Sequence, residues 1–305
     1  MKTQDVIAES SDVTKGSNAA SSTSLAGVVT VIGTGLIGGS FALVLKDKGL
    51  AVKIIGVDNN EAHRKRALEL GIVDEVLPLT EAIAKSKLIV LAIPVDALDK
   101  LLGAVLDQVE DQVVMDMGST KENVIALVAN HPKRGRFVAS HPMWGTEYSG
   151  PEAAVRTAFS NKAAVICDAK NSDQEALDLV VNLYKQAGMH LIYMDANDHD
   201  LHAAYISHIS HITSFALANT VLEKEKEENA IFELASAGFE STVRLAKSNA
   251  AMWVPIFKQN RENVLDVLNE HISQLRKFKS CLEKENYEYL QELIEHANGI
   301  KRILK

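Results

Sequence analysis

The run Val28-Val29-Thr30-Val31-Ile32 passes directly into Gly33-Thr34-Gly35-Leu36-Ile37-Gly38-Gly39-Ser40 and then into the helical pattern Phe41 to Leu45. A β-branched strand, a GxGxxG turn and a helix, in that order, constrain the fold more tightly than anything else in the chain: they define a dinucleotide-binding βαβ unit. Gly33 permits the tight exit from the strand, Gly35 lets backbone approach a pyrophosphate, and Gly38 lets the helix pack closely on the sheet. The anion is expected over Leu36 and Ile37, where free N–H groups and the helix dipole favour negative charge. A second apolar strand, Val52 to Val57, ends at Asp58, 20 positions past Gly38. A carboxylate there accepts both ribose hydroxyls and repels a 2′-phosphate, which favours NAD over NADP. Arg64 and Lys65 pull the other way, and the plainer alternative is a βαβ unit that binds nothing, with Asp58 as a cap.

From Val28 to about Asp195 short apolar runs alternate with helical stretches, the pattern of a mostly parallel, doubly wound sheet. Strands are expected at Val28–Ile32, Val52–Val57, Leu88–Ile93, Gln112–Met117, Phe137–Ser140, Ala163–Cys167 and His190–Tyr193. Pro94 and Gly118-Ser119-Thr120 follow two of these directly, at the carboxyl ends where such sheets bind ligands. After Asp195 glycine and proline become rare and apolar residues recur at helical spacing to Ile303. The division is therefore a leader over residues 1–26, a Rossmann domain over 27–195 and an all-helical domain over 196–305. The segment Leu201 to Leu222 is apolar nearly all round, so it is expected to be buried, as in the dimer interface of a small helical domain. The run Glu223 to Glu228 reads as a solvated helix end.

The leader is rich in Ser, Thr, Asn and Ala, lacks the apolar stretch of a secretory signal and reads as disordered. No apolar run is long enough to cross a bilayer. Among 305 residues with 47% hydrophobic content there is ample material for a core, and a net charge of −8 without a basic stripe argues against nucleic acid. Cys167 and Cys281 form no CxxC pair, so neither a disulfide framework nor a thiolate metal site is indicated. A reducing cytoplasm and small-molecule partners fit this composition.

The stretch Ser140-His141-Pro142-Met143-Trp144-Gly145-Thr146-Glu147-Tyr148-Ser149-Gly150 places an imidazole at the carboxyl edge of the sheet. Histidine titrates near neutrality and can take the proton of an alcohol while hydride leaves the same carbon; alternatively His141 only caps a turn. A second cluster, His199, His202, His208 and His211, spans 13 residues. At 100° per residue one straight helix cannot converge all four on an ion, so no metal site is expected. His208 and His211 are read as facing the interdomain cleft and donating to an anionic substrate, the other two as structural. Arg244, among apolar neighbours on an expected helix, needs an anion: a substrate carboxylate or Glu147. Trp253 reads as core or as ligand wall.

Taken together, these segments resemble the prephenate/arogenate dehydrogenase family of tyrosine biosynthesis. The motifs that carry the resemblance are Gly33–Ser40, Asp116 to Lys121 (DMGSTK), His141–Gly150, Ser207–His211 (SHISH), and Gly238-Phe239 with Arg244 and Trp253. The resemblance implies a Rossmann domain joined to a helical dimerisation domain, with NAD and substrate meeting in the cleft between them. It implies that His141 is the catalytic base, that Ser119 orients the ring hydroxyl, and that Ile93, Pro94 and Val95 line the dinucleotide. Arg244 would hold a substrate carboxylate, with Glu147 as its partner in the empty site. His211 and His208 would meet the side-chain end, with Thr146 and Trp253 also in the substrate site.

The reaction implied is NAD-dependent oxidative decarboxylation of prephenate to 4-hydroxyphenylpyruvate, or of arogenate to tyrosine. Two positions depart from the family pattern: Trp144 stands where a small residue is usual, and Ser210 where proline is usual. No regulatory or mutase domain is expected beyond Lys305. A β-hydroxyacid dehydrogenase or imine reductase of similar layout, with Lys247 as the catalytic group, is the competing enzyme. A catalytically silent NAD-binding protein is the competing non-enzyme.

Overall fold

The computed structural model describes residues 25–226 and 231–303. Nearly all of the leader, and part of the charged run 223–228, therefore lie outside the described residues. Eight strands form one sheet: β1 (Val28–Ile32), β2 (Lys53–Val57), β3 (Glu75–Val76), β4 (Leu88–Leu91), β5 (Val113–Asp116), β6 (Phe137–Pro142), β7 (Ala163–Cys167) and β8 (His190–Met194). Their order is β3-β2-β1-β4-β5-β6-β7-β8. All neighbours are parallel except β6 and β7, which run antiparallel. The two-residue strand β3 was not expected, because Glu75-Val76 offers no apolar run to read.

Strands β4 and β5 are buried along their whole length, as a sheet covered on both faces requires. One face packs on helices Leu36–Asp47 and Gln174–Ala187 through Phe41, Leu45, Val180 and Tyr184. The other packs on Val95–Gln108 and Glu122–Val128 through Leu98, Leu102, Val124 and Val128. The chain leaves β1 for β2 on one side and returns to β4 on the other, so the carboxyl ends of β1 and β4 open a crevice at the switch point. Gly33 and Pro94 stand at its two lips.

The first and third glycines of the turn are there for packing. Gly33 has φ +93°, and a Cβ on it would run into the Ala92 carbonyl. A Cβ on Gly38 would lie 2.9 Å from both Ala92 Cβ and Val31 Cγ1 and closer still to the Gly33 carbonyl. Gly35 differs: the atom nearest its absent Cβ is 4.0 Å away, which leaves open space in front of the helix N-terminus.

After Met194 the described elements are helical: Ala196–Ala203, a π-helical turn Ala204–His208, then Ile209–Glu225, Ala237–Val243, Ala250–Gln259, Arg261–Glu283 and Tyr287–Ala297. The expected burial of Leu201 to Leu222 is not met within one chain. In Ile209–Glu225 only Ser214 is buried, while Leu222 is 50% exposed and Leu234, further on, 84%. The reason is the small size of the apolar clusters available to this domain. Val95 packs with Trp253 and Ile256, and Ala204 with Val264 and Val267. No helix among the described residues is long and apolar enough to cross a membrane.

Substitution separates the glycine roles. Gly38→Ala is expected to cost about 1–3 kcal/mol of stability through overpacking, read as a lower thermal midpoint. Gly35→Ala is expected to leave the midpoint near wild type while weakening dinucleotide binding at least about tenfold, a loss of roughly 1.4 kcal/mol. Calorimetry of both variants with and without NAD checks the pair.

Candidate active site

The crevice at the switch point continues into a cavity of about 250 Å³ whose walls include Gly35, Ile37, Ile93, Pro94, Val95 and Ser119. At the far end Asp58 closes β2, and its side chain is 8% exposed. Its Oδ2 accepts from Thr34 N at 3.0 Å and Thr34 Oγ1 at 3.1 Å, and its Oδ1 from Asn60 N at 2.9 Å. The carboxylate is thus held beside the glycine turn. Arg64, the residue that speaks for a 2′-phosphate, donates Nη1 to the Asp58 carbonyl at 2.8 Å. An open glycine cradle, a free helix N-terminus and a pinned carboxylate together fit NAD.

A second cavity of about 370 Å³ adjoins the first, and Leu36, Ile37, Met117, Ser119 and Met252 line both. Ser119 therefore sits at the seam. Into the second cavity come His141 and Thr146 from the β6 segment, Ser207 from the π-helical turn, His211 from Ile209–Glu225, and Trp253 from Ala250–Gln259. Trp253 stacks on His211, ring centroids 3.5 Å apart and planes at 28°. Its Nε1 is buried without a partner among the described residues. Trp144, the unusual residue of the β6 motif, also lines this cavity and packs edge-on against Phe159 at 5.7 Å. It thereby fills space under the pocket wall.

Arg244 is more exposed than its apolar neighbours suggested. The helix Ala237–Val243 ends one residue earlier, and Arg244 opens a 3-10 turn, its side chain 47% exposed. Its Nη1 pairs with Glu147 Oε2 at 2.6 Å. The Glu147 backbone N–H, together with that guanidinium, holds the Glu147 carboxyl below the usual carboxylate range.

The histidines separate. His208 corrects the reading that placed it in the cleft: it is 1% exposed and does not line the cavity. Its Nδ1 lies 3.1 Å from Asn260 Nδ2, and its ring meets Trp253 and Phe257 edge-on. Burial pushes its pKa down to about 4, so it stays neutral and accepts from Asn260. His211 does face the cavity, but Nδ1 is 3.0 Å from the Ser207 carbonyl. Nδ1 must donate there, so Nε2 can donate to a ligand only when the ring is doubly protonated. Burial lowers its pKa, which opposes that state. His202 is exposed. The π-helical turn at Ala204–His208 inserts an extra residue between the two pairs, which the 100° reading did not include.

The sequence reading missed His199. It is 2% exposed, and its Nε2 lies 2.8 Å from His141 Nδ1. Its Nδ1 lies 2.7 Å from Asp200 Oδ1. Under this pair Lys121 Nζ and Asp116 form a wholly buried ion pair, and Asp116 Oδ1 also accepts from Ser140 N at 3.0 Å. Burial is the largest reason that the His141 pKa falls well below 6.5, with the neighbouring His199, Lys121 and His208 acting the same way. A neutral imidazole at this position is a base. The Asp-His-Asp-Leu-His cluster was the only signal for His199, and nothing in its spacing distinguishes it from His202.

Residues 41–193 match the family model for the prephenate dehydrogenase nucleotide-binding domain, and residues 195–296 that for the prephenate dehydrogenase dimerization domain. The chain is 30% identical over 279 residues to the prephenate dehydrogenase of Bacillus subtilis, covering 90% of this chain and 75% of that one. It is 28% identical over 280 residues to the cyclohexadienyl dehydrogenase of Zymomonas mobilis, covering 91% and 96%. The crystal structure of prephenate dehydrogenase from Aquifex aeolicus in complex with hydroxyphenyl propionate and NAD+ aligns with a TM-score of 0.82 at 30% identity, over 90% of this chain and 97% of that one. With both of its domains matched and relatives aligned along nine-tenths of its length, the chain belongs to the prephenate dehydrogenase family.

Proposed function

We propose that the protein oxidises prephenate to 4-hydroxyphenylpyruvate with release of CO2, NAD being the oxidant. The observation that carries this reading is the position of Ser119, on the wall shared by the dinucleotide cavity and the cavity that holds His141. Bound NAD supplies the hydride acceptor. His141 takes the proton of the ring hydroxyl at Nε2, the nitrogen without a partner among the described residues, while Ser119 orients that hydroxyl. With NAD bound to accept the hydride, the bond to the ring carboxylate would break, CO2 would leave and the freed electron pair would complete the aromatic ring, the phenolate oxygen taking the proton back from His141 Nε2. Arg244 commits Nη1 to Glu147, so Nη2 and Nε remain for a substrate carboxylate.

Arogenate is the second reading, and one observation favours it: a neutral His211 presents Nε2 as an acceptor, which suits an ammonium better than a keto group. NADH formation at 340 nm with either substrate, and with NADP in place of NAD, tests both readings. Turnover with neither substrate overturns them. The exposed apolar side chains of the helical domain, Leu222, Leu234 and Leu275 among them, support a homodimer. Light scattering is expected to give twice the chain mass, and a monomer overturns this.

His141→Asn is expected to lower kcat by about a hundredfold or more with NAD affinity unchanged. Because the His141 pKa is depressed, the base stays deprotonated through neutrality; activity is lost only as pH falls through that lowered value. The acid limb of the pH–rate profile is thus expected below pH 6.5, the ordinary histidine value. Arg244→Gln is expected chiefly to raise KM, by about tenfold, since a charge-assisted contact is worth about 1.5–3 kcal/mol. A normal KM moves Arg244 out of the substrate site.

A further inference from the structure

His141 Nδ1 and His199 Nε2 are 2.8 Å apart, so one of the two nitrogens carries the hydrogen and the other the lone pair. The choice is set one residue further in. Asp200 Oδ1 accepts from the Lys121 backbone N–H at 2.8 Å, and Oδ2 from that of Glu122 at 2.9 Å, at the start of helix Glu122–Val128. A carboxylate stationed on two backbone donors is an acceptor, and His199 Nδ1, 2.7 Å from Oδ1, must donate to it. His199 then faces His141 with the Nε2 lone pair. His141 must in turn carry its hydrogen on Nδ1, and its own lone pair stands on Nε2.

We propose that His199 and Asp200 are positioning residues that hold His141 in the Nδ1–H tautomer, so that the lone pair on Nε2 faces the substrate cavity. The inference rests on the reading of His141 as the base. In the step itself the substrate O–H bond breaks and an Nε2–H bond forms on His141. Nδ1–H stays where it was, and no proton passes to His199 or Asp200. His199 at 2% exposure and Asp200 at 3% keep water from competing for these bonds. The same carboxylate that orients the base also caps a Rossmann-domain helix, so the tautomer is tied to correct docking of the two domains.

Two replacements at one position separate this role from packing. The Gln amide reaches the place of the imidazole Nε2 and can accept from His141 through Oε1. The Asn amide reaches only the place of Nδ1, keeping Asp200 but leaving His141 Nδ1 unpartnered. His199→Asn is expected to lower kcat at least about tenfold, with the NAD Kd and substrate KM within about twofold of wild type, and His199→Gln to recover most of kcat. Equal losses in the two variants, or no loss in either, overturn the proposal. Nitrogen NMR of the 15N-histidine-labelled protein, with the His141 signals assigned by their absence in His141→Asn, reads the tautomer directly. A protonated Nδ1 and bare Nε2 on His141 are expected, and the reverse overturns the proposal. Because that spectrum needs no turnover, failure of the proposed reaction and failure of the relay are told apart.

Discussion

The Asp200 carboxylate joins the two halves of the molecule. It arises in the first helix after the sheet, yet both oxygens accept from the backbone of Lys121 and Glu122, where helix Glu122–Val128 begins. Those N–H groups have no partner within their own helix, and leaving a buried one bare costs about 1–3 kcal/mol. Asn260 Nδ2 donates to the Asp200 backbone carbonyl at 2.6 Å, which ties a third element to the same point. The position of His199, and through it that of His141, follows from this junction.

Beneath the junction lies a second set of polar groups that apolar side chains could not replace. Asp116, at the end of β5, accepts from Gly118 N and Ser140 N and pairs with the wholly buried Lys121 Nζ. Ser140 Oγ in turn lies 2.6 Å from the Asp116 carbonyl and 2.8 Å from Tyr184 Oη. The Tyr184 phenol is pushed upward by burial and remains a neutral hydrogen-bonding group. A buried pair with every oxygen used orders the strand ends without leaving an uncompensated charge. The carboxyl ends of β5 and β6 are thereby locked, and these are the ends that present Ser119 and His141. Farther out, Thr120 Oγ1 meets Gln259 Oε1, and Gln259 Nε2 reaches Asp99 at 2.7 Å, so polar clasps also cross the cleft above the site.

The two cavities differ in which polar groups they carry. The dinucleotide cavity combines the glycine turn, Ile93, Pro94 and Val95 with the polar side chains of Glu147 and Asn249. The second cavity carries the imidazoles of His141 and His211, the hydroxyls of Ser119 and Thr146, and an indole N–H that has no partner among the described residues. Arg244 lines neither cavity; half exposed, it pairs with Glu147, which belongs to the wall of the dinucleotide cavity.

The parallel sheet, the glycine turn and the acid after β2 were legible in the chain because each is local: β-branched runs, a turn at fixed offsets, a carboxylate 20 positions on. His141 and Ser119 were legible as groups at the carboxyl ends of strands, and their roles came from the resemblance of the surrounding motifs. Strand β3 escaped because two residues carry no period. His208 is interior rather than on the cleft wall, while His199, read as structural, is buried as such but against His141. Helical phase was taken from an ideal repeat, whereas the π-helical turn shifts it, and burial of a ring depends on which helix arrives beside it. The sequence by itself determined where a nucleotide turn and a strand-end histidine would be presented. Only the tertiary structure decided which histidine stands behind His141 and what fixes the carboxylate behind that histidine. His141 and His199 are 58 positions apart, and Asp200, though next to His199 in the chain, is fixed by Lys121, 79 positions away; no local pattern encodes a distance across a domain cleft.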